Sequence, residues 1–240
     1  MDGKKFIGCS GYYYSYWKNR FYPEGTPAKD WLSYYAKVFK TVELNGTFYR
    51  TPRITTLQKY VAQTLSNFKF SAKMNRYITH VLRLKNCKTE IDNYLQLLQD
   101  GLSDKLANVL FQLPASFKFS TENLENILEN VPHQSGSVIE FRDISWWTEE
   151  VYEAFKKAQL TFCNVDFPGL ASHIVHTSNL FYLRMHGSPE LFKSSYSTRE
   201  LKIYAKHIPQ DKDAFIYFNN TVYEAGYQNA QELIEILKAD

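Results

Sequence analysis

Residues 180–186 read Leu-Phe-Tyr-Leu-Arg-Met-His, an apolar run that ends in side chains able to carry positive charge. Four other segments have the same form, with a polar or charged side chain closing an apolar run: 41–45, 107–114, 136–142 and 214–220. If these runs are parallel neighbouring strands, their polar ends meet at one end of one sheet. Proteins of the α/β class bind their ligands at that end. The pattern therefore predicts a functional site there.

Between these runs the apolar residues recur at helical spacing, and such alternation of strands with helices predicts βαβ units and a parallel sheet. The predicted strands lie at about 4–9, 41–45, 68–73, 107–113, 137–142, 161–166, 180–186 and 214–219. The predicted helices lie at about 28–38, 54–65, 89–100, 121–130, 148–158, 198–206 and 227–238. These eight strands predict a TIM-type (β/α)8 barrel with a closed parallel sheet. The short segment between strands six and seven predicts a short or irregular sixth βα unit.

Length and composition favour a single domain over residues 1–240, because a chain that is 44% hydrophobic can fill one barrel core. The net charge of +3 is nearly balanced, so composition alone does not indicate a nucleic-acid or membrane partner. Cys9, Cys87 and Cys163 lack metal-binding spacing and are expected to be reduced thiols. We find no signal peptide or membrane-spanning run in the sequence and expect a cytoplasmic protein. The oligomeric state is not predicted.

Several motifs, in the same order along the chain, carry a resemblance to a known family. They include Ile-Gly-Cys-Ser-Gly-Tyr at 7–12, Val-Glu-Leu-Asn-Gly-Thr-Phe-Tyr-Arg-Thr-Pro at 42–52, Ile-Glu-Phe-Arg at 139–142, Arg-Met-His-Gly at 184–187 and Phe-Asn-Asn at 218–220. The chain resembles the YecE-like family, a group of proteins of unknown function, nearly from end to end. The resemblance implies a TIM-type barrel and no particular reaction. Tyr12 and Gly46 stand where the family usually has Trp and Ser, so we expect their contacts to differ.

Alternate residues of a barrel strand point inward, and those near its carboxyl end reach the mouth. Three pairs of polar residues share a parity on their strands: Glu43 with Asn45, Glu140 with Arg142, and Arg184 with His186. Each pair is therefore predicted to face inward together. A structural alternative is that these groups only fill the interior as salt bridges, since a buried charge needs a partner.

The functional interpretation is metal-free acid/base catalysis on a ligand that carries phosphate or carboxylate. Glu140 and Glu43 are the predicted acid/base pair, because a shared site of low dielectric separates the pKa values of two carboxyl groups. His186, which titrates near neutrality, is the third predicted catalytic residue. The predicted substrate-binding residues are Lys73, Arg142, Arg184, Gln112, Asn219, Asn45, Asp166, Tyr12 and Trp17. The expected reaction is hydrolysis, elimination or isomerisation without a cofactor.

Two alternative functions use other residues. A divalent metal could be held by Glu43, Glu140, Asp166 and His186, since carboxylates with one imidazole suit such ions. A nucleic-acid binder or repair-associated protein could use the aromatic loop at 11–26 with the cations Lys18, Arg20, Arg50, Arg53 and Arg76, because rings interleaved with cations can hold bases and phosphates.

Overall fold

The computed structural model describes residues 3–171 and 173–239, and the strands in these residues form two parallel sheets. The strands are β1 (Lys5–Cys9), β2 (Thr41–Leu44), β3 (Lys69–Lys73), β4 (Leu106–Gln112), β5 (Ser137–Glu140), β6 (Thr161–Phe162), β7 (Asn164–Asp166), β8 (Leu180–Met185) and β9 (Asp213–Phe218). One sheet has the order β1-β9-β8-β7, and the other has the order β2-β3-β4-β5-β6. The prediction of an α/β fold with parallel strands is confirmed.

The helices follow the strands along the chain, as βαβ units require. They are α1 (Trp31–Val38), α2 (Gly46–Tyr49), α3 (Ile54–Ala62), α4 (Lys88–Leu102), α5 (Thr121–Asn130), α6 (Glu149–Ala158), α7 (Thr198–Ala205) and α8 (Ala225–Ala239), with a π-helical turn at Tyr77–Val81. The sequence does not predict α2 or the π-helical turn, both of which are short. Helix α7 begins with a capping box between Ser197 and Glu200. Within the described residues, no helix has both the length and the apolar character needed to cross a membrane.

Within residues 3–171 and 173–239, the strands do not form the predicted single closed sheet of eight. One interruption lies between β1 and β2, where the hydroxyl of Tyr35 takes the place of direct backbone pairing. It accepts a hydrogen bond from the amide of Cys9 at 2.7 Å and donates one to the carbonyl of Thr41 at 3.1 Å. An isolated parallel bridge between Ser10 and Glu43 still joins the two strand ends. The Tyr35 side chain therefore lies between the backbones of β1 and β2 and links them by hydrogen bonds.

The second interruption lies at Cys163, which separates β6 from β7 within the predicted sixth strand. The Cys163 amide donates to the carbonyl of Ile139 in β5 at 2.8 Å, whereas β7 pairs with β8 in the other sheet. The chain thus changes partners at this residue. The described residues that follow, 167–171 and 173–179, contain no helix.

The alternation along β8 shows how the strands position the site. Phe181, Leu183 and Met185 face the main apolar core, which lies between the sheets and the helices. Tyr182 and Arg184 have the opposite parity and face side chains of other strands. Because the side-chain period of a strand is two, the apolar layer on one face fixes the polar layer on the other. The predicted inward orientation of Arg184 is therefore confirmed.

Gly8 marks the closest approach between β1 and the Tyr35 bridge. A methyl group on Gly8 would lie 2.3 Å from the carbonyl oxygen of Thr41 and 2.8 Å from the hydroxyl of Tyr35. Gly8→Ala is therefore expected to lower the free energy of unfolding by about 1–3 kcal/mol, measured by urea denaturation. Gly46→Ala is the matched control, because a methyl group there meets no atom within 4 Å. Equal stability of the two variants would contradict this account of the β1–β2 junction.

Candidate functional site

Arg184 lies between two carboxylates at the carboxyl ends of the strands, and all three side chains are buried. Its Nη2 is 2.7 Å from Oε1 of Glu43, and its Nη1 is 2.6 Å from Oε2 of Glu140. The side chain of Arg184 is 1% exposed, and those of both glutamates are fully buried. A guanidinium can satisfy two carboxylates in this way because its donors diverge in one plane. The three residues form the floor of the site.

Both carboxylates have further partners. Glu43 accepts hydrogen bonds from the hydroxyl of Ser10 at 2.6 Å and from the hydroxyl of Tyr182 at 2.8 Å. Oε1 of Glu140 lies 2.5 Å from Nη2 of Arg142 and 3.4 Å from Nε2 of His186. Such a set of contacts compensates the desolvation of the buried charges.

These partners fix the protonation states at the floor. Burial opposes ionisation of Glu140, but Arg142 and Arg184 outweigh it and hold the pKa of this carboxyl well below its usual range. Burial, followed by repulsion from Arg184, lowers the pKa of His186 to about 3. His186 is therefore neutral near pH 7, with its Nδ1 2.9 Å from the side-chain amide of Asn219. Glu140 is an ionised ion-pair partner in this arrangement, and the predicted catalytic roles of Glu140 and His186 stay predictions.

A cavity of about 850 Å³ opens above this floor. Its lining includes Asn45, Phe48, Tyr49, Lys73, Arg76, His80, Gln112, Arg142, Phe167, Arg184, Phe192 and Asn219. Among the described residues that line the cavity, four are lysine or arginine and none is aspartate or glutamate. Two cations lie over aromatic rings: Lys73 Nζ is 4.1 Å from the centre of Phe48, and the Arg142 guanidinium is 4.2 Å from the centre of Phe167. The wall of the cavity is thus cationic and partly aromatic. We call it the first cavity.

Lys73 is the group of the first cavity that titrates near neutrality. Burial, together with repulsion from Arg184, lowers its pKa to about 8. Burial and the charge of Lys73 likewise lower the pKa of His80, to about 4, so this imidazole is neutral. Within the described residues, Lys73 and Arg76 form no hydrogen bond or ion pair with another side chain. Their charge is therefore free to act on a bound group.

The structure brings most of the predicted site residues together. Six line the first cavity, namely Asn45, Lys73, Gln112, Arg142, Arg184 and Asn219, and three lie at its floor, namely Glu43, Glu140 and His186. Three others lie elsewhere. Asp166 accepts a hydrogen bond from the hydroxyl of Tyr196, Trp17 is buried with its indole nitrogen bonded to the carbonyl of Tyr223, and Tyr12 lines a neighbouring cavity.

Some residues of the site are missing from the sequence prediction. Tyr182 could have been found, since it shares the parity of Arg184 on the same strand. Ser10 could have been found in a similar way, since it is a polar residue directly beyond the end of β1. Phe48 and Phe192 come from α2 and from the segment after β8, and no spacing in the sequence points to either of them.

The residues proposed for a metal do not form a metal site. Among residues 3–171 and 173–239, no group of three His, Cys, Asp or Glu side chains could hold an ion. Glu43 and Glu140 instead bind the Arg184 guanidinium, whose charge would repel a cation at the same oxygens. The donor set at the floor therefore fits a guanidinium and does not fit a divalent metal.

Comparison with known proteins identifies the family. The sequence matches, over residues 6–240, the model of a family described as "Protein of unknown function DUF72". The chain belongs to the DUF72 family. The resemblance to YecE-like proteins is confirmed by UPF0759 protein YecE of Escherichia coli (strain K12), which is 28% identical over 46% of this chain and 41% of its own length. UPF0759 protein YunF of Bacillus subtilis (strain 168) is 30% identical over 90% of this chain and 89% of its own.

Solved DUF72 structures have the same fold. A crystal structure of a DUF72 family protein from Thermotoga maritima MSB8 matches with a TM-score of 0.88 and 30% identity, covering 98% of this chain and 99% of that one. A DUF72 family protein from Enterococcus faecalis V583 matches with a TM-score of 0.80 at 19% identity, covering 98% of each chain, which shows likeness of fold alone. Neither description states a reaction.

Replacing Arg184 tests the floor of the site. Arg184→Met leaves Glu43 and Glu140 buried without their shared cation, so we expect a loss of about 3–5 kcal/mol in unfolding free energy at pH 7. The loss is expected to shrink at pH 5, because unpaired buried carboxyl groups take up protons at higher pH than paired ones. Denaturant unfolding of both proteins at the two pH values measures this.

The stability of the wild-type protein should instead fall as the pH is lowered. The depressed pKa of Glu140 contributes stability that is present above the unfolded pKa of about 4.3 and is lost as the pH falls through the folded value. Arg199→Met on α7 is the control, since this exposed arginine is expected to change stability by no more than about 0.5 kcal/mol. If Arg184→Met does not fold, Arg184→Lys keeps one charge and should give an intermediate loss. A loss independent of pH would contradict the ion-pair account.

Proposed function

We propose that this DUF72 protein is an enzyme that binds a phosphate- or carboxylate-bearing ligand in the first cavity and transfers a proton to or from it without a metal. The observation that carries the proposal is the charge of the cavity wall. Lys73, Arg76, Arg142 and Arg184 line it, and no carboxylate does in the part of the chain that the structure describes. Lysine and arginine together barely outnumber the acidic residues in the whole chain, 28 to 25, so this segregation is local.

Charge balance at the floor supports an anion as the ligand. Glu43 and Glu140 supply two negative charges to Arg184 and Arg142, and these pairs neutralise one another. Lys73 and Arg76 remain as surplus positive charge above them. An anion placed between Lys73 and Arg142 would gain charge-assisted hydrogen bonds in a partly desolvated site, where they are stronger than in water.

Lys73 is the proposed proton-transfer residue. Its pKa of about 8 lies close to working pH, which favours transfer in either direction. As an ammonium it could protonate a leaving oxygen in a hydrolysis or elimination, and as an amine it could accept a proton in an isomerisation. Glu140 then acts on the reaction indirectly, because it orients Arg142 and Arg184 from below. We assign Glu43 the same supporting role.

We infer further that the two sheets act as one eight-stranded barrel, with β6 and β7 as halves of its sixth strand. The Ser10–Glu43 bridge and the Tyr35 hydroxyl span the β1–β2 gap, and Arg184 of one sheet binds glutamates of the other. Such a barrel would be a single domain with the first cavity at its carboxyl-terminal mouth, where barrel enzymes carry their active sites.

Sulfate is a suitable probe, because its charge does not change near neutral pH. Calorimetric titration should show binding at pH 7 that weakens by about tenfold by pH 9.5, because the Lys73 ammonium is lost as the pH rises through about 8. Lys73→Met should bind sulfate weakly at both values and lose the pH dependence. Any turnover found in a screen of phosphate and carboxylate metabolites should fall by at least about 100-fold in this variant.

Lys202→Met, an exposed lysine on α7, is the matched control and should leave both properties unchanged. Sulfate binding that is absent from the wild-type protein would overturn the anion site. Turnover retained by Lys73→Met would overturn the assigned proton-transfer residue, even if the anion still binds.

A further inference from the structure

We propose that a second cavity beside the first binds the base of a nucleoside phosphate whose phosphate occupies the first cavity. This inference rests on the proposed function, because it assigns a binding site to the remaining part of the same ligand. The second cavity has a volume of about 830 Å³ and lies between the loop after β1 and the segment from β2 to α3. Its wall includes Tyr12, Tyr13, Asn45, Arg50, Arg53 and Tyr60.

The two cavities meet at Asn45, which lines both of them. Helix α2 follows directly, with Phe48 and Tyr49 towards the first cavity, and Arg50, the residue after the helix, lines the second. The Asn45 amide nitrogen donates to the carbonyl of Ser10 at 3.2 Å. Its Oδ1 is buried and has no hydrogen-bond partner within the described residues. A buried acceptor without a donor is costly, so a hydroxyl of a ligand passing this point would satisfy it.

The second cavity repeats the charge pattern of the first. Arg50 and Arg53 line it, and the described residues of its wall include no aspartate or glutamate. Within the described part of the chain, neither guanidinium forms an ion pair or a hydrogen bond with a side chain. Two cations of the first cavity, Lys73 and Arg76, likewise form no ion pair within the described residues. A ligand that extends from one cavity to the other therefore meets positive charge at both ends.

The tyrosines of the second cavity distinguish it from a plain anion site. Tyr13 is 62% exposed, although it is a large aromatic residue. The ring of Tyr12 meets those of Tyr13 and Tyr60 edge to face, at 6.3 and 6.1 Å between centroids. The Tyr13 ring also lies 4.9 Å from that of Trp31, but its exposure leaves ring surface open, and such a surface can stack on a flat heterocycle. Guanidinium groups stack on bases as well, which suits Arg50 and Arg53.

A nucleoside phosphate combines the three groups that these features select. Its phosphate fits the cationic first cavity, its sugar hydroxyls can donate to Asn45, and its base can stack in the second cavity. A bare sugar phosphate would leave the tyrosine faces uncovered. The ligand can be a free nucleotide or the end of a polynucleotide strand, since both carry this chemistry.

The test compares affinities for inorganic phosphate, ribose 5-phosphate, adenosine 5′-monophosphate and a 5′-phosphorylated ten-nucleotide strand, by calorimetry on the whole protein. We expect the mononucleotide to bind at least about tenfold more tightly than ribose 5-phosphate, because stacking of a base on an aromatic side chain is worth this much or more. The variants Tyr13→Ala and Arg50→Gln/Arg53→Gln should reduce the advantage to about twofold or less, without changing the affinity for ribose 5-phosphate. Arg199→Gln is the matched surface control and should keep the advantage.

The outcomes separate this inference from the proposed function. If the two phosphates without a base bind and the base adds nothing, the second cavity is not a base site and the anion site stands. If none of the four probes binds, both this inference and the proposed function are wrong. If the base adds affinity that survives in both variants, the second cavity is not where it binds. Tighter binding of the strand with a steeper loss on adding salt would identify a polynucleotide end, and equal affinity would identify a free nucleotide.

Discussion

The buried guanidinium of Arg184, shared by Glu43 and Glu140, is the interaction on which the rest of the site depends. It joins β8 of one sheet to β2 and β5 of the other, across the places where backbone pairing is interrupted. Each of the three charges would be costly in this interior without the others. The arrangement therefore makes the ends of the two sheets one unit and gives the cavity above it a fixed floor.

This floor also determines the electrostatics of the cavity. Because both carboxylates bind arginines, they are not free to bind a cation, and the pKa of Glu140 stays well below its usual range. The same burial that keeps His186 neutral lowers the pKa of Lys73 to about 8, and the neighbouring Arg184 adds to both effects. Among Glu140, His186 and Lys73, the lysine is therefore the group whose pKa lies near neutrality. Under the proposed function, the site is an anion receptor in which Lys73 can gain or lose a proton.

The sequence predicts those parts of the structure that depend on local periodicity. Strand alternation places Glu43, Glu140 and Arg184 on one face, and their convergence follows once the strands are parallel. Their roles were not predictable in this way, since a pKa depends on partners brought together by the fold. Tyr35 lies on a helix whose sequence looks like that of an ordinary core helix. No neighbouring residue indicates that the Tyr35 hydroxyl joins the backbone hydrogen bonds between β1 and β2. Trp17 looks like a binding residue in an aromatic loop, yet its ring is buried.

The measurement that tests the central claim most directly is the NMR titration of the Lys73 side chain, with selectively labelled lysine, in the presence and absence of phosphate. The account predicts a pKa of about 8 in the free protein and a higher value when phosphate is bound, because a neighbouring anion favours the ammonium form. A value near the ordinary 10.4 in the free protein would contradict the description of Lys73 as desolvated and surrounded by positive charge. A value that phosphate leaves unchanged would show that the anion does not bind beside it.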